Sequence, residues 1–365
     1  MRHLGLDLLR FLAVFLVMFR HLPGGVGRTE ALAVLIQGGW IGVDVFFVLS
    51  GFLISGLLFR EHQKSGRLDL VQFLIRRGFK IYPPFWVMLA VTLVLMAALE
   101  PRIPSRGLLG EILFLQNYLG GLNGHTWSLA VEEHFYLGLA ALFALSTRWS
   151  PRRPFAVVPW AFAAVAALAL AARILTPRGP QAFLCPGYHC YTHLRMDSLL
   201  FGVLLSWAHH YGDLERWRKR VGTGVWTTLG CLLLLPAFLH PIETSWGMSV
   251  YGVIGLYLGS GCLILAALTL ADSDGRLLRL CGALGAASYS VYLWHVPVAR
   301  WLMPALEPLP GMASGPLLLL AYVFLCFGIG WIMNRLVEQP SLRLRDRLFP
   351  RKATSLPQDN RTAAG

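Results

Sequence analysis

Charge is scarce in this sequence, and acidic charge is scarcest. Of 365 residues only 14% are Asp, Glu, Lys or Arg, against 56% hydrophobic, and the mean hydropathy is +0.57. That balance excludes an ordinary soluble domain and fits a polytopic membrane protein. The 19 acidic residues face 32 basic ones. The surplus does not imply nucleic-acid binding, because basic residues are confined to short loops between apolar runs. Cysteine is sparse as well. Cys231, Cys262, Cys281 and Cys326 stand singly in apolar runs, where they read as small hydrophobes. Only "CPGYHC", Cys185 to Cys190, is a pair. With one histidine between the thiols and no second pair following, a local disulfide or plain loop residues are expected rather than a zinc site. There is no internal repeat of the kind that marks many transporters. The N-terminal run is a poor signal peptide, since Arg10 interrupts it and "FRHLPGG" is a poor cleavage site. It is expected to stay as a span.

What is present is a series of apolar runs. Ten are long enough to span, near residues 6–22, 38–59, 81–99, 127–146, 156–176, 195–211, 221–239, 248–271, 283–303 and 315–337. The expected fold is therefore an all-α polytopic membrane protein of about ten transmembrane helices, with one membrane domain over 1–347. A polar tail, 348–365, is expected to be disordered. Alternate loops separate the basic residues sharply. One side holds 22, among them Arg2, Arg60, Lys64, Arg67, Arg76, Arg77, Lys80 and the six after Glu338, while Arg28, Arg102, Arg106 and Arg178 are the four on the other. Both termini are expected in the cytoplasm.

Within the spans lie charges that cost about 2.5–3.5 kcal/mol each at the bilayer centre on insertion scales. In the first run, Arg10 and His21 are eleven residues apart. At about 100° per residue that is within about 20° of three full turns, so both share a face, about 16 Å apart along the axis. Asp7 lies close to the same stripe. Asp44, Glu132 with Glu133, and Arg195 with Asp197 are expected at the depth of His21, on three further helices. Each charge alone could be a structural ion pair joining helices; the set reads as a functional cluster. At the opposite mouth, Arg77 and Lys80 share a helix face at i, i+3. They read either as positive-inside anchors or as a site for an anion such as phosphate.

The ordered segments "LDLLRFLAVFLVMFRH", "GVDVFFVLSGFLIS", "RRGFKIYP", "HTWSLAVEEHFYL", "RMDSLLFG", "SYSVYLWHVPV" and "VEQPSLRLRD" cover roughly residues 4–347. Together they resemble the integral-membrane acyltransferase family 3, O-acyltransferases of bacterial cell-surface sugars, peptidoglycan, nodulation factors and macrolides. By position, the family's arginine and histidine of the first span fall on Arg10 and His21, its WSL-x-VE motif on Trp127, Ser128 and Glu132, and its arginine pair on Arg77 and Lys80. The second of that pair is lysine here, a point charge in place of a bidentate guanidinium. His134 stands where glutamine is frequent, and Gln339 where arginine is frequent. No SGNH hydrolase-type domain is present in these residues, so acceptor handling is expected from the membrane domain or a partner.

The resemblance implies a bacterial inner-membrane enzyme with no permanently bound cofactor and no metal. It would move an acyl group, acetyl by expectation, from cytoplasmic acyl-CoA to a hydroxyl of a sugar, glycolipid or macrolide. His21 would be the general base, Glu132 would hold its imidazole, and Arg10 or Arg195 would stabilise the oxyanion. Arg77 and Lys80 would meet the CoA phosphates, with Asp44, Arg195, Asp197 and Trp127 lining the substrate path. Whether acyl passes through His21 or goes directly to the acceptor stays open. Ser50, Ser128 and Ser288 read as hydroxyls satisfied by their own helices, and His295 as structural or lining. Tyr289, Tyr292 and Trp294 read as core aromatics or a sugar platform. The alternative is a proton-coupled transporter or flippase of a glycan.

Overall fold

A computed structural model describes residues 3–26, 29–100, 102–176, 188–270, 275–309 and 315–350. Arg2, Arg28, Arg178, Cys185 and the tail from 351 lie outside these described residues. Cys190 is disulfide-bonded.

Each of the ten apolar runs is helical, and no strand occurs among the described residues. The principal helices are α1 (Leu4–Arg20), α2 (Ile41–Ser65), α3 (Leu70–Leu99), α4 (Trp127–Trp149), α5 (Val158–Leu175), α6 (Met196–Tyr211), α7 (Thr223–Leu234), α8 (Val253–Ala267), α9 (Arg276–Ala286), α10 (Ser288–Pro297), α11 (Gly315–Met333) and α12 (Gln339–Leu348). Among the described residues, six helical stretches are long and apolar enough to cross a membrane. A seventh is added if α7 and the short helix before it, bent by 93°, count as one. Three expected spans fall short for local reasons. α1 has 17 residues and α6 has 16, which at about 1.5 Å per residue is less than the hydrocarbon thickness of about 30 Å. The run at 283–303 is broken between α9 and α10 at Ala287, and again where Pro297 leads into a π-helical turn, Val298–Leu302.

The connections collect at two ends. At one, Arg76 pairs with Asp346 at 2.9 Å, and Gln72 reaches the Pro350 carbonyl at 3.1 Å. This joins the start of α3 to the end of α12. At the other end, Arg300 binds Glu100 at 2.6 Å and donates to the Leu122 carbonyl at 2.9 Å. The basic loops 60–80 and 338–350 therefore share one end of the bundle.

Small residues let the central helices touch. A Cβ on Gly51 of α2 would lie 1.9 Å from the Leu199 carbonyl oxygen, and one on Gly202 of α6 would lie 2.2 Å from that of Val48. Backbones this close gain dispersion and Cα–H contacts that lipid cannot supply. Gly202→Val should lower stability in detergent by at least about 1–3 kcal/mol through overpacking, read as loss of monodisperse protein on heating. A wild-type melting profile would show that the crossing yields easily.

Prolines do the complementary work of freeing backbone acceptors. Pro83 inside α3 has no N–H, so the Phe79 carbonyl four residues earlier loses its helical partner. Ser341 of α12 donates its hydroxyl to that carbonyl at 2.6 Å. Helix α3 is thus tied to α12 at the level of Arg77 and Lys80.

Candidate functional site

A cavity of about 200 Å³ opens between α1, α2, α3, α4 and α10. Its polar wall carries Arg10, Arg77, Lys80 and Glu132, with Ser50, Ser128 and Tyr292 among the hydroxyls. The sequence places Arg77 and Lys80 at a mouth remote from Glu132. That expectation is corrected, since all three face one space. α4 is the reason: its Glu132 side chain points along the helix toward Tyr136, whose hydroxyl donates to it at 2.9 Å, and Tyr136 also meets Ser50 at 2.9 Å.

The cations differ in how they are held. Arg10 is ion-paired to Asp7 at 2.6 Å, one turn away on the same stripe of α1, and is partly exposed to the cavity. Lys80 forms an ion pair with Glu338, a buried carboxylate whose second oxygen accepts from Ser290 at 2.6 Å. Its ammonium also lies 5.5 Å from the centre of the Tyr289 ring. Lys80 is thus already paired from the protein side, and Arg77 stands on the same cavity wall.

Asp44, Arg195 and Asp197 are ion-paired in the interior. Asp44 and Arg195 meet at 2.5 Å with 0% and 2% of their side chains exposed, and Asp197 pairs with a buried Arg173. The Arg195 guanidinium lies 6.0 Å from the Trp127 ring centre and 5.8 Å from that of Phe47. Asp44, Arg195, Asp197 and Trp127 are not among the residues lining the cavity described above; the two ion pairs join α2, α5 and the start of α6.

His21, expected beside Glu132, has other neighbours. Its Nδ1 lies 3.0 Å from the Val17 carbonyl and 3.1 Å from Nε2 of His295. Glu132 does not reach it, because the carboxylate is turned to Tyr136. The His295 ring, in turn, is 4.9 Å from that of His125, centre to centre. A wall of two hydroxyls separates this imidazole cluster from the cavity: Ser128 and Tyr292 are 2.6 Å apart, and Tyr292 donates to the His125 carbonyl at 2.8 Å. Ser50 and Ser128 therefore bond to tyrosines on neighbouring helices as well as sitting in their own, and Tyr292 is a buried, fully engaged phenol.

Sequence reasoning passed over His125, Arg173, Tyr136 and Glu338. Arg173 had a signal, an arginine inside the apolar run "AAVAALALAARIL". Glu338 had none, because its partner is 258 positions away.

Beyond the spans, a short helix, Ser105–Leu113, carries Glu111 into the loop that precedes α4. Glu111 Oε1 accepts from Thr126 Oγ1 at 2.8 Å and from the Leu122 N–H at 2.9 Å. Burial pushes its carboxyl up to about 7, against the opposing pull of these hydrogen bonds. A carboxyl raised on folding binds its proton more tightly in the native state. It therefore contributes stability below its unfolded value of about 4.5, and that contribution is lost as pH rises through about 7. Glu111→Gln keeps an acceptor oxygen for the same donors, so the variant should lose this part of the pH dependence of melting between pH 4.5 and 7. Identical slopes in both proteins would mean that Glu111 is ionised throughout.

Comparison with known proteins follows the geometry. A family model described as an acyltransferase domain matches residues 3–335. The chain is 27% identical over 336 residues to the peptidoglycan O-acetyltransferase OatA of Listeria monocytogenes, covering 83% of this chain and 50% of that protein. It is 28% identical over 325 residues to a putative O-acetyltransferase of Staphylococcus aureus, covering 82% and 51%, and 26% identical over 324 residues to the O-acetyltransferase OatA of the same organism, covering 80% and 50%. The chain spans about half the length of these relatives. No solved structure matches it.

Proposed function

The chain belongs to this family of acyltransferases, and from that premise we propose that it carries an acetyl group from acyl-CoA at its basic end to a glycan hydroxyl at the His21 end. Peptidoglycan is the first acceptor to test, because one of the named relatives is a peptidoglycan O-acetyltransferase. The observation that carries the reading is the cavity, which gathers Arg10, Arg77 and Glu132 on one side of the Ser128–Tyr292 wall, with His21 on the other.

In this reading the chain crosses the bacterial inner membrane about ten times, with both termini in the cytoplasm. Support comes from the 22-to-four division of basic residues and from the Arg76–Asp346 pair, which brings two of the basic loops together. The donor phosphates meet the basic wall that Arg77 and Lys80 form in the cavity. The acceptor hydroxyl gives its proton to His21 while its oxygen attacks the thioester carbonyl. Arg10 stands on the donor side of the Ser128–Tyr292 wall, about 16 Å from His21 along α1, so its charge serves the anionic donor and not the tetrahedral oxyanion formed at His21. Collapse breaks the carbon–sulfur bond, and the CoA thiolate takes up the proton. Asp44, Arg195, Asp197 and Trp127 act on substrate only through the helix positions they hold.

Steady-state kinetics in native membranes, with acetyl-CoA varied at saturating acceptor, tests the donor side. Arg77→Ala should raise the donor KM about tenfold, the equivalent of about 1.4 kcal/mol for a charge-assisted contact. An unchanged donor KM with only a lower membrane level would make Arg77 a positive-inside anchor.

A further inference from the structure

Two backbone carbonyls of α10 decide where the protons of the histidine cluster reside. Pro297 has no N–H, so the Leu293 carbonyl four residues earlier has no donor in its own helix. His125 fills that place, with Nε2 at 3.2 Å from the Leu293 oxygen. One residue before Leu293, the Tyr292 carbonyl oxygen lies 2.6 Å from Nδ1 of His295. A carbonyl only accepts, so Nδ1 of His295 carries the hydrogen, and Nε2 of the neutral ring presents a lone pair. That lone pair points to Nδ1 of His21 at 3.1 Å, and the remaining neighbour of the same nitrogen is the Val17 carbonyl at 3.0 Å. Both neighbours are acceptors. Nδ1 of His21 must therefore be the protonated nitrogen, which leaves Nε2 as the basic one.

We infer that His295 is a positioning residue that selects the His21 tautomer with a free lone pair on Nε2 and holds that ring in place. The inference rests on the assignment of His21 as the base and adds which atom does the work. His295 occupies the position behind the imidazole that a carboxylate takes in acyl-transfer triads. A neutral ring orients the base there without a buried negative charge. The consequence is chemical. When the acceptor O–H bond breaks, its proton goes to Nε2 of His21, and the positive charge on that ring has no anion behind it. It is discharged on the other side, by passing the same proton to the sulfur as the carbon–sulfur bond breaks.

Two variants and one spectrum test this. His295→Leu removes the acceptor and should lower kcat by about 10²-fold, at the lower end of what a positioned base contributes, with the donor KM unchanged. His295→Gln can donate its amide N–H to the Tyr292 carbonyl and turn its oxygen to His21, so it should recover most of the lost rate. In protein labelled with 15N-histidine, the resonances absent from His21→Ala should show His21 protonated at Nδ1 and bare at Nε2. Wild-type turnover in the Leu variant, equal losses in Leu and Gln, or His21 protonated at Nε2 would each overturn the proposal. If the Leu variant fails to accumulate, the Gln variant and the spectrum still decide. A fully active His21→Ala would instead sink the assignment of His21 as base, whereas the tautomer is read from the spectrum without reference to turnover.

Discussion

His21→Ala should accumulate in the membrane at the wild-type level and turn over about 10²–10⁴-fold more slowly, the usual contribution of a positioned general base. The two parts of this expectation have separate physical grounds. His21 stands just beyond the last turn of α1, partly buried, and its ring bonds replace no helix contact: one goes to its own helix at Val17 and one to His295. Deleting it leaves α1 held by Val14, Val17 and Met18, which are fully buried. What the variant loses is an imidazole at the end of the polar stripe that begins at Asp7 and Arg10. Acyl-transfer rates in membranes of matched protein content check this. Full activity would make His21 a helix-end residue and would move the chemistry elsewhere in the bundle.

The largest effect on folding is expected at Arg195. Arg195→Met strands Asp44, which has none of its side chain exposed, in the middle of three helices. Breaking a buried pair by removing one partner costs about 3–5 kcal/mol, because the remaining charge keeps its desolvation penalty. The variant should fail to accumulate. The double variant Asp44→Leu with Arg195→Met removes both charges, and well-packed apolar replacements of buried pairs are often neutral or stabilising. It should therefore return to the membrane as a monodisperse protein. Thermal melting of solubilised protein separates the cases. A stable Arg195→Met, or a double variant as unstable as the single, would contradict the role as an internal lock and restore the case for a substrate contact.

Composition and apolar runs made the helical membrane fold legible, because the length and hydropathy of a span are local properties. Of the charged residues that the resemblance singled out, Arg10, Arg77, Lys80 and Glu132 meet at one cavity while Asp44, Arg195 and Asp197 line no part of it, and small residues in "GVDVFFVLSGFLISG" pointed to a tight crossing, which Gly51 and Gly202 form. What stayed hidden is pairing across distance. Asp44 and Arg195 are 151 positions apart, and His21 and His295 are 274 apart. No helical period contains such information. Depth was the other blind spot: Glu132 turns along α4 toward Tyr136 and so shares one cavity with Arg77 and Lys80, a side-chain direction that no spacing in the sequence reveals. The role of Pro297 was hidden for a related reason. It acts by what it withholds from Leu293, and the beneficiary, His125, belongs to another part of the chain.

The central claim is acyl transfer across the bundle from a donor at the basic end. Its most direct measurement uses inverted membrane vesicles, whose cytoplasmic face is outward, supplied with acetyl-CoA labelled in the acetyl group. The account predicts that label appears as alkali-labile O-acetyl groups on glycan inside the vesicles, at a rate that falls about 10²–10⁴-fold with His21→Ala. Label that never reaches glycan in vesicles holding the folded wild-type protein and its acceptor, or that reaches it equally well with His21→Ala, would contradict the account.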